Sequence, residues 1–320
     1  MRLRLLVCLL CLAAALPLAA QDEAERLQRA SELVDAFVAR HMEENGTPGL
    51  ALAVTSRNGL LRVATYGFAD LKTRRPVTPE TLFEIGSISK SFTAIALLQL
   101  REEGRLDPQA PVTRYLPWFE IPTEYEPITV HQLLSHSAGI PRDRDDVYFS
   151  RYAVYTLRER QTGYPPGNKY AYSNIGYQVL GAVLSEIEKK PHAEILRRRI
   201  LDRVGMNASD PVITFETHKR LAIGYIPLFD DRPARASSPL VEAPKFEYHA
   251  GDGSVAATPA DLAGYLRMLL NRGAAAGCSP KKASVFLSSL RSRPARIHTM
   301  ATGWRHARRT IAPSSPTAAG

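Results

Sequence analysis

Apolar residues recur at helical spacing between Asp22 and Glu44, with Leu27, Ala30, Leu33, Val34, Phe37, Val38 and His41 on one side, and the pattern stops near Gly46. This spacing predicts one amphipathic helix. Two apolar runs follow, Leu50 to Ser56 and Leu60 to Tyr66, parted by Arg57-Asn58-Gly59. Asn-Gly accepts the positive φ of a type I′ turn, so the two runs are expected to form an antiparallel hairpin. Helical spacing returns from Ser87 to Arg101 through Phe92, Ile95, Ala96, Leu98, Gln99 and Leu100, with Gly104 placed to end the helix. Pro111 to Ile128 is rich in proline and aromatic residues and reads as a packed loop. A third helix is expected from Ser173 or Asn174 through Val179, Leu180, Val183 and Leu184. A fourth spans Pro191 to Val204, with Pro191 in its first turn and Leu196, Ile200 and Val204 buried. Asp210 to Pro244 carries Pro227, Pro233, Pro239 and Pro244 and little periodicity, as a substrate-flanking loop or a surface excursion would. Thr258-Pro259-Ala260-Asp261 has the cap, the proline and the acid of a helix start, opening Leu262 to Leu270.

Chemistry enters at Ser87-Ile88-Ser89-Lys90. A serine hydroxyl is a weak nucleophile at neutral pH, and a desolvated amine one helical turn away can accept its proton. Ser87 and Lys90 share a face of the first turn. Helix starts also favour serine and helix surfaces favour lysine, so these four residues alone admit a purely structural reading. About eighty residues on stands Tyr172-Ser173-Asn174, delivered by a Pro165-Pro166-Gly167 turn. A phenol beside a lysine ammonium ionises more easily and can serve as general base, and an asparagine amide can orient a substrate carbonyl. The alternative is a capping Ser/Asn beside a packed tyrosine.

The two motifs in this order resemble those of the serine β-lactamase and penicillin-binding-protein superfamily, in its class C β-lactamase-like branch. The resemblance runs from about Ala24 to Arg272 and includes two long stretches. Residues 83–94 are similar to the family's nucleophile segment, and residues 129–141 to its helix-and-turn between motifs. It implies Ser87 as the acylated nucleophile, Lys90 as its proton partner, Tyr172 as base and leaving-group acid, and Asn174 as a ligand of substrate and lysine. His136 and Ser137 invite a Ser/His reading, but their place after an apolar helix and before Gly139-Ile140-Pro141 suits a C-terminal cap, with imidazole near the negative helix end. The family's third motif, a cation-x-Gly on a late strand, has two weak matches. His249-Ala250-Gly251 precedes what should be a glycine turn and helix, and Ala301-Thr302-Gly303 lacks the cation. Neither a cofactor nor a metal is expected.

The N-terminus changes the expected address. Arg2 and Arg4 precede an apolar run from Leu5 to Leu18 and the small pair Ala19-Ala20, so residues 1–20 read as a secretory signal peptide. The expected product is periplasmic or secreted, with no membrane anchor after cleavage. Cys8 and Cys11 lie inside that segment, leaving Cys278 without an intramolecular disulfide partner.

The net charge of +9 would suggest a nucleic-acid or membrane partner were it spread over the chain. It is not. Residues 277–320 hold eight basic side chains and no acid, so residues 21–276 are close to neutral and no nucleic-acid partner is expected of them. The tail also lacks helix or strand period, and its Ser, Pro, Ala and Arg runs are those of a GC-rich gene read out of frame. Back-translating residues 277–284 as GGG TGC TCT CCG AAG AAA GCG TCC, and reading from the third base, gives Val-Leu-Ser-Glu-Glu-Ser-Val. The same offset over residues 299–320 permits Asp-Gly-Tyr-Gly-Leu-Ala and His-Ser-Gly-Gly. A disordered basic tail is the alternative.

The resemblance implies an α/β fold: an antiparallel sheet flanked by helices, plus a helical subdomain, with Ser87 at their junction. We expect residues 21–276 to form this domain without its late strands, which would leave the hairpin edge unpaired and one oxyanion donor lost. Three functions stay open. The chain is an acyl-serine hydrolase acting on a β-lactam, a D-Ala-type peptide or a small ester; or a catalytically impaired member or truncated product; or a polyanion binder through its tail. Its oligomeric state is not legible.

Overall fold

The computed structural model describes residues 2–143, 150–229, 231–233 and 235–273. The basic tail, Cys278, Ala301-Thr302-Gly303 and the proposed frame change lie outside the described residues.

Helix α1, Arg2–Asn45, contains the expected 22–44 helix as its C-terminal half. Its buried face is rotated from the one anticipated. Leu27, Val34, Val38 and His41 turn inward, but Leu33 and Phe37 remain 74% and 55% exposed. The rotation has a polar cause: Asp35 lies toward the sheet, where Arg62 donates to both its oxygens at 2.5 and 2.7 Å and the Tyr66 hydroxyl donates as well.

Strands β1 (Gly49–Thr55) and β2 (Leu60–Asp70) form the expected hairpin, in register Leu52↔Ala64, and β3 (Arg75–Pro76) adds to the far side of β2. The turn is not type I′, because neither Asn58 nor Gly59 takes a positive φ. Ser56 closes it instead: its backbone N–H donates to the Gly59 carbonyl at 2.9 Å, and its hydroxyl accepts from the amides of Asn58 and Gly59. A bulge between Val54 and Thr55 absorbs the longer loop.

Strand β4 (Phe83–Glu84) leads through the one-turn helix Gly86–Ile88 into α2 (Ser89–Glu102). The chain leaves α2 through Gly104 at φ +71°, as expected of a C′ glycine. The Pro111–Ile128 loop is packed, with Val112, Leu116, Phe119 and Ile121 buried. Helix α3 (Val130–Leu134) starts at a capping box in which Thr129 and Gln132 satisfy each other's amides. Helix α4 (Ser150–Tyr155) and helix α5 (Asn174–Glu188, capped by Ser173) complete the helical subdomain. The expected Pro191–Val204 helix is α6 (His192–Leu196), a π turn over Arg197–Leu201, and α7 (Asp202–Val204). Pro191 is its N-cap, Leu196 and Ile200 are buried, and Val204 is partly so.

The region from Asp210 to Pro244 is more ordered than its sequence suggests. It holds α8 (Phe215–His218) and a hairpin of β5 (Tyr225–Pro227) with β6 (Leu240–Glu242). Strands of three residues leave too short an alternation to be read. Strand β7 (Ala256–Ala257) pairs antiparallel with β4, and α9 (Pro259–Leu270) begins at the Thr258 cap as anticipated. The main core lies between α2 and α5, around Phe92, Leu97, Leu100, Leu180 and Leu184, and the Tyr265 ring of α9 stacks on Phe92 at 4.0 Å. Among the described residues β1 has no strand on its outer edge; α9 packs beside it, with Asn271 donating to the Arg57 carbonyl at 2.9 Å.

Candidate active site

The β4–β7 pairing fixes where α2 begins. Beyond it, the Ile85 amide donates to the Val255 carbonyl and the Val255 amide donates to the Ser89 hydroxyl, both at 3.1 Å. Gly86 then takes φ +50° with open space where a Cβ would stand, so its requirement is torsional rather than steric. Ser87 is left exposed on the one-turn helix, and Lys90, one turn on, is buried to 6% exposure.

Ser87, Lys90 and Tyr172 meet. The Ser87 Oγ is 2.5 Å from the Tyr172 hydroxyl and accepts from Lys90 Nζ at 3.1 Å, while Nζ also donates to the Asp252 carbonyl at 2.8 Å. The ammonium further sits 5.0 Å from the centroid of the Tyr172 ring and 5.8 Å from that of Tyr177. Burial lowers Lys90 to about 8, against the opposing pull of Asp252 and Asp143. An amine that gives up its proton this close to physiological pH is a competent proton acceptor in its neutral fraction.

Tyr172 departs from expectation. Its phenol is raised above the ordinary value of 10.0, because burial outweighs the bond from Ser87 that favours ionisation. The neighbouring ammonium does not overcome desolvation. The phenol is therefore suited to passing a proton rather than to standing ionised.

Asn174 also departs. Its amide donates to Asp143 Oδ1 at 2.5 Å and its backbone N–H to the Arg142 carbonyl at 2.8 Å, while Lys90 takes the Asp252 carbonyl instead. A carboxylate only accepts, so Asp143 fixes which way the amide points, leaving the buried Oδ1 without a hydrogen-bond partner.

His136 caps α3 as expected, at φ +55° and with its amide donating to the Leu133 carbonyl. Its ring does more than cap. It stacks on Tyr172 at 4.6 Å and 29°, and Nδ1 accepts from the Ser173 amide at 3.1 Å, while the His136 carbonyl accepts from the Ala171 amide at 2.7 Å. Burial and the Lys90 charge push the imidazole down to about 4, so the ring at this helix end is neutral. Ser137 bonds Ser135 and lies outside the Ser87 cluster.

His249-Ala250-Gly251 is not a late strand. His249 is exposed, and Gly251 opens a turn packed so closely that a Cβ would stand 2.5 Å from the Tyr177 carbonyl. The contribution of this stretch is the Asp252 carbonyl. Only the fold could reveal that, since a backbone acceptor has no side-chain signature. Among the described residues no strand carries a cation-x-Gly.

A serine, a lysine and a tyrosine joined through one hydroxyl, at the junction of antiparallel strands and a helical subdomain, define the serine hydrolases of the β-lactamase and penicillin-binding-protein superfamily. The chain belongs to the Beta-lactamase family, whose model matches residues 34–319. It is similar to Protein flp of Staphylococcus aureus, 25% identical over 248 residues, covering 74% of this chain and 48% of the relative. The chain thus spans about half the length of the curated relative it matches. The octameric penicillin-binding protein homologue from Pyrococcus abyssi superposes with a TM-score of 0.71 at 29% identity, over 79% of this chain and 59% of the other. A β-lactamase/D-alanine carboxypeptidase from Pseudomonas syringae gives 0.66 at 26%, over 80% and 68%.

Proposed function

We propose that the chain is an acyl-serine hydrolase of the class C-like type, with Ser87 as nucleophile, Lys90 as proton acceptor and Tyr172 as the group that hands the proton to the leaving atom. The observation that carries this reading is the shared hydrogen bonding of Ser87 Oγ to Lys90 and Tyr172. Ser87 Oγ attacks a carbonyl carbon as its proton passes to the Lys90 amine. On collapse, the bond to the leaving nitrogen or oxygen breaks, the leaving atom takes the Tyr172 proton, and Lys90 restores it. Water then cleaves the acyl-serine by the reverse transfers.

The Asn174 Oδ1 is a buried acceptor without a partner, and a rotation of the amide that opened it to the site would suit a substrate N–H, which favours an amide-bearing acyl donor such as a D-Ala-type peptide or a β-lactam over a simple ester. The Pseudomonas syringae neighbour, described as acting in both ways, supports the same two classes. The arrangement of Arg2, Arg4 and the following apolar run supports export to the periplasm or medium. Incubation with a fluorophosphonate and with a fluorescent penicillin, followed by peptide mass spectrometry, should place the adduct on Ser87, and Ser87→Ala should abolish it. An adduct on Ser137 would sink the assignment. Turnover of nitrocefin, a D-Ala-D-Ala peptide and a p-nitrophenyl ester then separates the substrate classes.

A second reading is favoured by one observation, the lack among the described residues of a cation-x-Gly strand. An impaired member would be acylated at Ser87 yet release product slowly, giving a stoichiometric burst without turnover.

A further inference from the structure

One buried ionisable side chain has no part in the proton transfers above. Asp252 is 6% exposed, and its backbone and side chain have different partners. Its backbone carbonyl accepts from Lys90 Nζ at 2.8 Å, and both carboxylate oxygens lie 2.9 Å from the Tyr248 hydroxyl. That hydroxyl in turn accepts from Gln178 Nε2 at 3.2 Å. The turn carrying Asp252 is pinned independently: the Thr93 hydroxyl donates to the Gly251 carbonyl at 2.7 Å and, its proton so used, accepts from His192 Nε2 at 3.0 Å. The carboxylate is thus fixed against solvent by α5, by the segment before it in the chain and by the turn itself. An acid buried on the very residue whose carbonyl receives the Lys90 amine, with a phenol to hold it, is costly unless its charge is used.

We propose that Asp252, held by Tyr248, is a positioning residue that sets the charge state of Lys90 and so the pH at which Ser87 becomes a nucleophile. The inference rests on the reading of Lys90 as proton acceptor. The other groups around Lys90 are Ser87 beside it, Tyr172 from the segment before α5, Tyr177 from α5, His136 from the turn after α3, and the Arg142–Asp143 pair. His136 is neutral, and the two tyrosines are raised above their ordinary range by burial. Asp143 is partly exposed and already bonded by Arg142 and Asn174, so its charge is offset nearby. Asp252 is the buried carboxyl that remains; burial raises it above the ordinary carboxylate value, the Lys90 charge and the Tyr248 bond work to keep it ionised, and it is the strongest charge opposing the desolvation of Lys90. A buried anion beside an amine favours the ammonium, so its removal frees the amine at lower pH.

The test titrates Lys90 directly in the full chain, following its 13Cε resonance, assigned with Lys90→Arg. In Asp252→Asn the midpoint should fall by about one pH unit below the wild-type value. Tyr248→Phe should move it the same way but less, because the carboxylate then protonates more easily, and adding it to Asp252→Asn should give no further shift. A midpoint in folded Asp252→Asn within about 0.2 unit of wild type overturns the proposal. If that variant does not fold, Tyr248→Phe decides by the same criterion. Fluorophosphonate labelling of Ser87 run alongside separates the two readings. A shifted Lys90 midpoint with no labelling of the wild type leaves the Asp252 inference standing and removes the hydrolase. Normal labelling with an unmoved midpoint does the reverse.

Discussion

The two halves of the candidate site are held by different kinds of structure. Ser87 and Lys90 lie three residues apart on one helix start, and their distance follows from helical geometry once β4 and Gly86 have aimed the chain. Tyr172 and Asp252 arrive on irregular segments and stay in place through tertiary bonds, the first through His136 and the second through Thr93 and His192. The nucleophile and its proton acceptor are built locally, and the groups that relay the proton and tune the acceptor are held at long range. Damage to the first half should remove acylation, whereas damage to the second should slow turnover or shift its pH dependence with acylation still measurable.

The most severe way to break the second half is at the phenol itself. Tyr172→Phe keeps the ring on His136 and removes the hydroxyl bonded to Ser87, so turnover should fall by roughly 10²–10⁴ while acylation by an activated fluorophosphonate falls less. Single-turnover and steady-state rates on the same substrate measure the split. Equal losses in both would mean that Tyr172 activates the nucleophile rather than protonating the leaving atom.

The same contrast governs what could be read in advance. The helix start at Ser87, the Ser173 cap, the Thr258-Pro259 start and the packed Pro111–Ile128 loop were legible because each depends on residues within a turn or two. The face of α1 was misread because Asp35 has partners on β2, and those bonds turn Leu33 outward. The ligand role expected of Asn174 toward Lys90 failed for a similar reason: Asp143 and the Asp252 carbonyl, remote in sequence, each claimed one partner. Tyr172 shows the limit most plainly, since a nearby ammonium is visible as a motif but the burial that outweighs it is not.

Protonation sharpens the comparison next. With Lys90 lowered from 10.5 to about 8, the amine form dominates above pH 8, so the fluorophosphonate labelling rate should rise with pH and reach half its plateau near that value. A rise delayed beyond pH 10 would point to the phenol, which burial holds above its ordinary value. The stability consequence has a definite sign. The folded-state value lies below the unfolded one, so the unfolded chain binds more protons between about pH 8 and 10.5, and the Lys90 contribution to stability increases across that window.

His136 tests whether the Tyr172 segment depends on its long-range anchor. His136→Ala removes the Nδ1 acceptor and leaves the Ser173 amide unpaired, which costs about 1–3 kcal/mol. The ring stack is lost as well, so urea unfolding should show the destabilisation and turnover should fall with Ser87 labelling still detectable. Unchanged stability would show that the Ala171 and Gly167 backbone bonds to residues 136 and 137 suffice to hold the segment.

The smallest effect is expected where local sequence promised the most. Asn58-Gly59 has the composition of a type I′ turn, in which glycine is needed for its positive φ, and Gly59→Ala there would cost on the order of 1 kcal/mol. In this hairpin Gly59 has no positive φ, no atom stands within 4 Å of the added Cβ, and Ser56 provides the closing hydrogen bonds. Gly59→Ala should therefore change stability by less than about 0.5 kcal/mol, with a slight gain possible from the stiffer unfolded chain. Ser56→Ala, which removes the hydroxyl that accepts from two amides, should cost more, about 0.5–1.5 kcal/mol. The pair of variants compared by urea unfolding decides which residue makes the turn, and a larger loss at Gly59 than at Ser56 would restore the type I′ assignment.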